Sequence, residues 1–308
     1  MREMLSRRTV LSSLGAFGGA CLLPGAASGA SRTAVMKRTI PVSGEQVPSV
    51  GMGTWITFNV GDDPALRTER VKVLQTFFDM GGTLIDSSPM YGSSEKVVGY
   101  CLKRMTGAPQ PFAATKVWTL LQMLGVRQIE RSRKLWRLDT FDLMQVHNLL
   151  NWESHLATLR EEKAQGRLRY VGITTSHGRR HDEFEKVMRT EPIDFVQFTY
   201  NILDREVERR LLPLAADRGL AVIVNRPFRG GGLFDLLARH PLPAWASEID
   251  CANWAQFFLK FIVSHPAVTC AIPATSRVEH MQENMGALHG LLPDQPMRAR
   301  MVQYVESL

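Results

Sequence analysis

The chain of 308 residues is poor in cysteine and has no block of like charge. Its four cysteines are scattered and form no CxxC pair, which excludes a disulfide-rich scaffold and the common cysteine-based zinc and redox motifs. Beyond residue 30, no apolar run approaches the roughly 20 residues that a membrane-spanning helix needs. Basic residues do not alternate with aromatic ones, so nucleic-acid binding is not indicated. The composition, 44% hydrophobic and 22% charged, is typical of a folded globular domain.

The first thirty residues have the order of an export signal. Ser6-Arg7-Arg8-Thr9-Val10-Leu11 is a twin-arginine motif, followed by a weakly apolar stretch and then by small residues. This order predicts a twin-arginine signal peptide over 1–30, with 31–308 as the mature domain. The protein would then be exported through the twin-arginine translocase to a periplasmic or secreted location, with no stable membrane anchor, or would stay cytoplasmic if the signal is not used. An amphipathic helix or a disordered tail is the alternative.

Removal of residues 1–30 changes the charge balance only slightly. The segment carries three arginines and one glutamate, so the formal charge falls from +7 to +5. A mildly basic domain without a lysine or arginine block suits an anionic ligand at least as well as nucleic acid.

The rest of the chain alternates short apolar runs with segments of helical period. The predicted strands are Val50–Thr54, Thr83–Ser87, Phe112–Val117, Leu143–His147, Tyr170–Thr174, Phe195–Thr199, Ala221–Asn225 and Thr269–Pro273. The predicted helices include Arg67–Phe78, Glu95–Arg104, Glu153–Ala164, Glu183–Thr190, Glu206–Arg218 and Trp254–Val263. Eight strands with helices between them predict an α/β fold, the closed (β/α)8 TIM barrel.

Two further segments stand out from this alternation. Lys37 to Pro48 is predicted to form a short hairpin that turns at Ser43-Gly44, ahead of the first barrel strand. The stretch from Arg226 to Trp254 is longer than an ordinary loop, which predicts a functional loop with a short helix at Leu233–Ala238.

Three consecutive predicted strands end in a titratable residue. Asp86, Lys116 and His147 close the second, third and fourth strands, and Tyr91 follows in the loop after Asp86. Because catalytic residues of a barrel lie at the carboxyl ends of its strands, these four side chains can share one cavity. Each residue alone has an ordinary structural explanation, as a cap, a turn, a solvated lysine or a buried histidine. Their coincidence on consecutive strand ends favours a catalytic site.

The four side chains suit acid catalysis on a carbonyl group. A lysine beside a tyrosine is expected to lower the pKa of the tyrosine, and a carboxylate can hold that lysine charged. His147 can donate a hydrogen bond to a substrate oxygen and orient it. There is no G-x-S-x-G elbow and no His or carboxylate partner at metal-ligand spacing, so neither a nucleophile nor a metal is predicted. The chemistry that remains is reduction of the carbonyl by hydride.

Four stretches resemble the aldo-keto reductase family, over roughly residues 37–290. Asp86 to Glu95 is similar to the signature Asp-x-x-x-x-Tyr-Gly, and Gly51 to Trp55 is similar to the motif of the first strand. Ala114-Thr115-Lys116 and Gln145-Val146-His147-Asn148 match the lysine and histidine strands. The resemblance implies that Tyr91 is the general acid of an NAD(P)H-dependent, reversible reduction of a small aldehyde or ketone.

The resemblance also implies a cofactor site for NADP, with NAD possible. The residues it assigns to the cofactor are Gly53, Thr54, Trp55, Asp86, Thr174, Thr175, Gln197, Asn225, Pro227, Thr275, Arg277, Glu283 and Asn284. Four positions depart from the family, among them Thr175, which replaces an amide side chain. Asn225 stands where an aromatic ring usually stacks on nicotinamide, and Ala274 and His280 stand where lysine and arginine are frequent. For the substrate pocket the candidates are Trp55, Trp118 and Phe228.

Two other functions are compatible with the sequence. One is a nicotinamide-binding barrel that serves as a regulatory or binding subunit without substantial turnover, which the departures at Thr175 and Asn225 motivate. The other is a barrel lyase or isomerase that uses Lys116 as a Schiff base.

Overall fold

A computed structural model describes residues 34–105, 107 and 109–308. The segment 1–30, where the export signal is predicted, lies outside the described residues. The signal and the domain boundary at residue 31 therefore stay predictions.

A short hairpin opens the described chain. Strands β1 (Lys37–Thr39) and β2 (Gln46–Pro48) pair antiparallel, as the sequence predicted. Gly44 in the turn between them has φ +75°, in the left-handed region that favours glycine. Ile40 and Val47 pack with the side chains inside the barrel, so the hairpin closes the end opposite the carboxyl ends of the strands.

Eight parallel strands form the barrel, each paired with the next along the chain. They are β3 (Met52–Gly53), β4 (Leu84–Asp86), β5 (Phe112–Val117), β6 (Phe141–Val146), β7 (Leu168–Thr174), β8 (Phe195–Thr199), β9 (Ala221–Asn225) and β10 (Cys270–Ala271). Isolated parallel bridges, Val50 to Ala271 and Gly53 to Ala274, join the first strand to the last. The predicted (β/α)8 barrel is confirmed.

Helices follow the strands and cover the outside of the barrel. They are α1 (Pro64–Asp79), α2 (Ser94–Arg104), α3 (Gln122–Trp136), α4 (Trp152–Ala164), α5 (His181–Thr190), α6 (Leu211–Asp217), α7 (Gly232–Leu237), α8 (Trp254–Val263), α9 (Val278–Gly286) and α10 (Gln295–Glu306). None of the helices in the described part of the chain combines the length and the apolar character needed to cross a membrane.

The predicted helix over 206–218 is divided in the structure. A single 3-10 turn covers Glu206–Glu208, and α6 begins only at Leu211. Pro213 explains the break, since its ring would clash with the carbonyl four residues earlier in a continuous helix. In the first turn of α6, the missing N–H of Pro213 costs little.

Candidate active site

The structure brings the four predicted catalytic residues to the carboxyl ends of neighbouring strands. Asp86 is the last residue of β4, Lys116 is the penultimate residue of β5, and His147 follows β6 directly. Tyr91 ends a 3-10 turn, Pro89–Tyr91, that begins after β4. Ser88 caps this turn, because its Oγ accepts a hydrogen bond from the Met90 N–H.

Asp86 and Lys116 form an ion pair that is shielded from water. The Lys116 side chain is fully buried, and its Nζ donates to Asp86 Oδ2 and, at 2.8 Å, to the Ser87 carbonyl. The other carboxylate oxygen accepts from Gln197 Nε2 at 2.9 Å and Gln145 Nε2 at 3.2 Å. Burial lowers the pKa of Lys116, and the Asp86 carboxylate opposes that shift. A buried charge pair persists only when its remaining polar atoms are bonded, as they are here.

Tyr91 lies against both the lysine and the histidine. Lys116 Nζ is 5.2 Å from the centroid of the Tyr91 ring. The ring meets His147 edge to face, with centroids 5.6 Å apart and planes at 85°. Burial, reinforced by the Asp86 carboxylate, raises the pKa of Tyr91 well above 10.0.

The pKa of Tyr91 therefore shifts in the direction opposite to the sequence-based expectation. Lys116 is expected from the sequence to lower it, but the loss of hydration at the phenol, reinforced by the Asp86 carboxylate, dominates. The hydroxyl keeps its proton across the physiological range, as a proton donor requires.

His147 is a neutral imidazole. Burial, together with the nearby Lys116 charge, lowers its pKa well below 6.5. Its Nδ1 lies 2.8 Å from Ser88 Oγ. Ser88 is fully buried and already accepts from Met90 N–H, so its hydroxyl proton is satisfied only if it is donated to Nδ1. This arrangement assigns the imidazole proton to Nε2, the nitrogen left free to donate to a ligand.

One cavity of about 420 Å³ connects these side chains with the loops above the barrel. It reaches from Tyr91 and His147, past the loop after β9, to Ala274 and His280 beside the start of α9. Trp55, Ile56, Met90, Phe228 and Phe234 supply apolar walls. Trp55 and Phe228, two of the three candidates for the substrate pocket, therefore line this cavity. The third candidate, Trp118, is 42% exposed and is not among the lining residues.

The residues expected to hold nicotinamide divide into two groups. Those that line the cavity are Gly53, Thr54, Trp55, Asp86, Thr174, Asn225 and Pro227. Thr175 and Gln197 lie beneath it with protein partners: Thr175 Oγ1 donates to the Arg179 carbonyl at 2.6 Å, and Gln197 donates to Asp86.

Asn225 stands at the position expected to carry a stacking ring. Its Oδ1 accepts from Thr199 Oγ1 at 2.7 Å, and its Nδ2 donates to the Thr175 carbonyl at 2.9 Å. The amide thus ties the ends of β7, β8 and β9 together, and Asn225 itself lines the cavity.

The residues expected to bind the adenosine end lie in and around α9. Thr275 Oγ1 accepts from the Arg277 N–H at 3.1 Å in the turn before the helix. The Arg277 side chain is 62% exposed and lies 3.5 Å from Glu279, so it is available to an anion. Asn284 is buried and Glu283 is half-buried on α9. None of these four lines the cavity around Tyr91.

Two residues of the site have roles that sequence reasoning missed. Ser88 contacts His147, although the only signal was its place between Asp86 and Tyr91. Arg226 lines the cavity, and its place directly after a strand end and before a proline could have indicated it.

Among the described residues, no three His, Cys, Asp or Glu side chains lie close enough together to hold a metal ion.

Comparison with known proteins identifies the family of the barrel. The family model described as "Aldo/keto reductase family" matches residues 49–301, most of the chain. The chain belongs to this family. It is therefore an oxidoreductase, as the strand-end residues predicted.

Named relatives and solved structures agree with this assignment. Methylglyoxal reductase YeaE of Escherichia coli is 28% identical over 263 residues, which are 82% of this chain and 90% of that protein. The NADH-specific methylglyoxal reductase of Escherichia coli is 30% identical over 234 residues, 64% of this chain and 68% of that protein. A Klebsiella pneumoniae aldo/keto reductase solved with NADP and acetate has a TM-score of 0.72 at 24% identity, over 88% of this chain and 96% of that one. The thermostable aldo-keto reductase Tm1743, solved with the inhibitor epalrestat, has a TM-score of 0.68 at 28% identity, over 88% of this chain and 99% of that one.

Proposed function

We propose that this chain reduces a small aldehyde or ketone with NADPH, or with NADH, and that Tyr91 is the general acid. The observation that carries the proposal is the buried Asp86–Lys116 pair beneath Tyr91, in a cavity that His147 also lines. Relatives named as methylglyoxal reductases support a small carbonyl substrate.

The residues present fit a nicotinamide dinucleotide. The cavity runs from the catalytic side chains towards α9, where the exposed Arg277 and the first turn of the helix can receive phosphate. At the other end, Thr174, Asn225 and Pro227 would hold the nicotinamide, and Glu283 and Asn284 would hold the adenine. When bound, the reduced cofactor supplies the hydride for the carbonyl carbon.

The chain's own residues supply the proton and the electrostatic setting. Tyr91 donates its hydroxyl proton to the carbonyl oxygen, and the ammonium of Lys116 stabilises the tyrosinate that this leaves. Asp86, held by two glutamines, keeps Lys116 charged and in place. His147 donates from Nε2 to the same oxygen and orients the carbonyl. A proton donor and a hydrogen-bond donor that are already in position lower the barrier because they need no reorganisation.

The proposal is tested by incubating the purified domain with methylglyoxal or benzaldehyde and either NADPH or NADH. Loss of the reduced-nicotinamide absorbance, with formation of the alcohol, is the expected result. Binding of the dinucleotide without turnover of any aldehyde would favour a regulatory or binding subunit. Irreversible trapping of substrate on Lys116 by borohydride would favour the Schiff-base chemistry.

We further propose that the protein is exported in folded form to the periplasm or the medium. The support is the order of residues 1–30, with Arg7-Arg8 ahead of an apolar stretch and small residues. Since this route moves folded proteins, a barrel could carry its dinucleotide with it, and bound ligand would stabilise the folded state. Replacing both arginines by lysine should retain folded, active protein in the cytoplasm. Normal export of that variant would contradict the proposal.

A further inference from the structure

The start of α3 exposes a cluster of large apolar side chains. Leu120 and Leu121 directly precede the helix, and Met123, Leu124 and Val126 belong to its first two turns. Their exposed fractions lie between 40% and 69%, and none of the five lines the catalytic cavity. Single exposed apolar residues are common on soluble proteins, but a cluster of this size marks a surface that binds another molecule. We call these five residues the apolar tip of α3.

The backbone beneath the apolar tip is held firmly. Gln128 binds both backbone groups of Trp118, since its Nε2 donates to the Trp118 carbonyl and its Oε1 accepts from the Trp118 N–H, each at 2.8 Å. Asn151 Nδ2 donates to the Leu120 carbonyl at 2.9 Å. The exposure of the tip therefore does not come from a loosely held loop. Because the backbone is already ordered, binding through the tip requires little loss of conformational entropy.

A row of cations follows the apolar tip along α3. Arg127, Arg131, Lys134 and Arg137 are three or four positions apart, so they share one side of the helix, and all four are exposed. None of these four side chains has a hydrogen-bond or ion-pair partner within the described part of the chain. The single acidic residue of α3, Glu130, is already paired with another arginine of the helix. This cation row therefore carries positive charge that the protein itself does not neutralise.

The charge of this surface favours an anionic partner over a second copy of the chain. A two-fold dimer presents the same patch from both subunits, so it would bring two cation rows close together, where they repel. Leu120 and Met123 are 69% and 68% exposed, so their side chains project from the surface. A protein partner would need a shaped pocket for each of them. The boundary between the headgroups and the acyl chains of a bilayer receives such side chains without one.

We propose that the apolar tip and the cation row dock the folded protein on an anionic lipid surface. The tip side chains enter the boundary between headgroups and acyl chains, and the cations contact the lipid phosphates. With 15 residues, α3 is about 22 Å long, so a helix that leans on the surface brings the whole row within reach. The attachment is peripheral and reversible, and it does not depend on the proposed carbonyl reduction.

Docking through the apolar tip also determines where the catalytic cavity lies. The strands β3, β4 and β5 are neighbours in the barrel, and the tip follows β5. Trp55, Ile56 and Met90, which follow β3 and β4, are exposed and line the catalytic cavity. Exposed apolar side chains thus follow three neighbouring strands, and docking through the tip brings the mouth of the cavity close to the lipid.

The test measures binding of the purified full-length chain to vesicles by flotation. One set of vesicles contains phosphatidylglycerol and phosphatidylcholine in equal parts, and the other contains phosphatidylcholine alone. The wild type is compared with two double variants, Leu120→Gln with Met123→Gln in the tip and Arg127→Gln with Arg131→Gln in the row. Residues 1–30 are present in every protein, so a difference between variants reports on α3.

Two double variants elsewhere on the surface serve as matched controls. Val42→Gln with Leu291→Gln removes two apolar side chains that are similarly exposed. Lys37→Gln with Lys186→Gln removes two exposed cations whose side chains also lack a partner in the part of the chain that the structure describes. Thermal unfolding of each protein shows whether the substitutions leave the fold intact, and sedimentation velocity without lipid detects any dimer.

We expect the wild type to bind the anionic vesicles far better than the neutral ones, and added salt to weaken that binding. The tip variant should lower the partition coefficient by about 10- to 100-fold, because two apolar side chains are no longer transferred from water. The row variant should lower it by about 10- to 30-fold and reduce its dependence on salt. Both controls should bind nearly as well as the wild type.

Any one of four results would overturn the proposal: no preference of the wild type for anionic vesicles, unchanged binding in the tip variant, unchanged binding in the row variant, or equal losses in the controls. A dimer that forms without lipid and is abolished in the tip variant would assign the tip to a second copy of the chain instead.

Discussion

Ser88 Oγ lies 2.8 Å from His147 Nδ1, and the same oxygen caps the turn that ends at Tyr91. One buried hydroxyl therefore links the two groups that would contact the substrate oxygen. Its proton, donated to Nδ1, fixes the tautomer of His147. Its oxygen, which accepts from the Met90 N–H, holds the turn that carries Tyr91. Ser88 is thus a positioning residue, since it acts through His147 and Tyr91.

Replacing Ser88 with alanine should release the tautomer of His147. Nδ1 would then compete with Nε2 for the proton, and part of the imidazole would face the substrate as an acceptor instead of a donor. We expect kcat to fall by roughly 10-fold, about the value of one hydrogen bond, while dinucleotide affinity stays the same. The nitrogen chemical shifts of His147 report the tautomer directly. Ser88→Thr, which keeps the hydroxyl, should restore both readouts; an unchanged tautomer in Ser88→Ala would contradict this role.

The pH dependence of reduction follows from the two shifted groups. Tyr91 must be protonated to act as an acid, and its pKa lies well above 10.0, so its own ionisation should not reduce activity below the ordinary tyrosine value. His147 must be neutral, and its pKa lies well below 6.5, so no loss should occur near that pH. The profile of kcat/KM, which reports the free enzyme, should therefore be flat around pH 6.5, and its loss at alkaline pH should follow Lys116, whose pKa burial lowers from 10.5. An inflection close to pH 6.5 would contradict the neutral state of His147, and an alkaline inflection that stays at the same pH in Lys116→Arg would contradict the role of Lys116.

Variants of the buried Asp86–Lys116 pair should separate the stability of the protein from its activity. Lys116→Met leaves the Asp86 carboxylate buried without its cation, which should cost about 3–5 kcal/mol in the free energy of unfolding. Adding Asp86→Asn removes the orphaned charge and should recover most of that loss, as measured by denaturant unfolding. Turnover should stay low in both variants, because the tyrosinate has lost its stabilising cation. Full activity in the stable double variant would contradict the role of Lys116.

Arg277 is expected to discriminate between the two dinucleotides. It is exposed at the start of α9 and only loosely paired with Glu279, so a 2′-phosphate can displace that contact. Arg277→Ala should weaken binding of NADPH by roughly 10-fold and leave that of NADH nearly unchanged, as measured by fluorescence titration. Glu279→Gln is the control, because it removes the competing carboxylate and should not weaken NADPH. Equal losses for both dinucleotides in Arg277→Ala would contradict the assignment.

The sequence predicts the barrel well because its strands are buried apolar runs between clear turns. Phe112–Val117, Phe195–Thr199 and Ala221–Asn225 begin and end as the pattern indicates. Their order in the chain also places the catalytic residues, since consecutive parallel strands are neighbours in the barrel. The break at Pro213 was foreseeable from proline chemistry, although the helical period continues across it.

The electrostatics of the site were not accessible from the sequence. The raised pKa of Tyr91 depends on how fully the phenol is desolvated and on the pairing of Lys116 with Asp86, which only the packed structure determines.

The most direct test of the account is the turnover of Tyr91→Phe with a small neutral aldehyde and NADPH. The phenyl ring keeps its contacts with His147 and Lys116 but has no proton to donate. We predict that kcat falls by about 10² to 10⁴, the usual contribution of a general acid, while the fold and the dissociation constant for NADPH stay as in the wild type. Turnover within a few-fold of the wild type would contradict the assignment of Tyr91 as the proton donor.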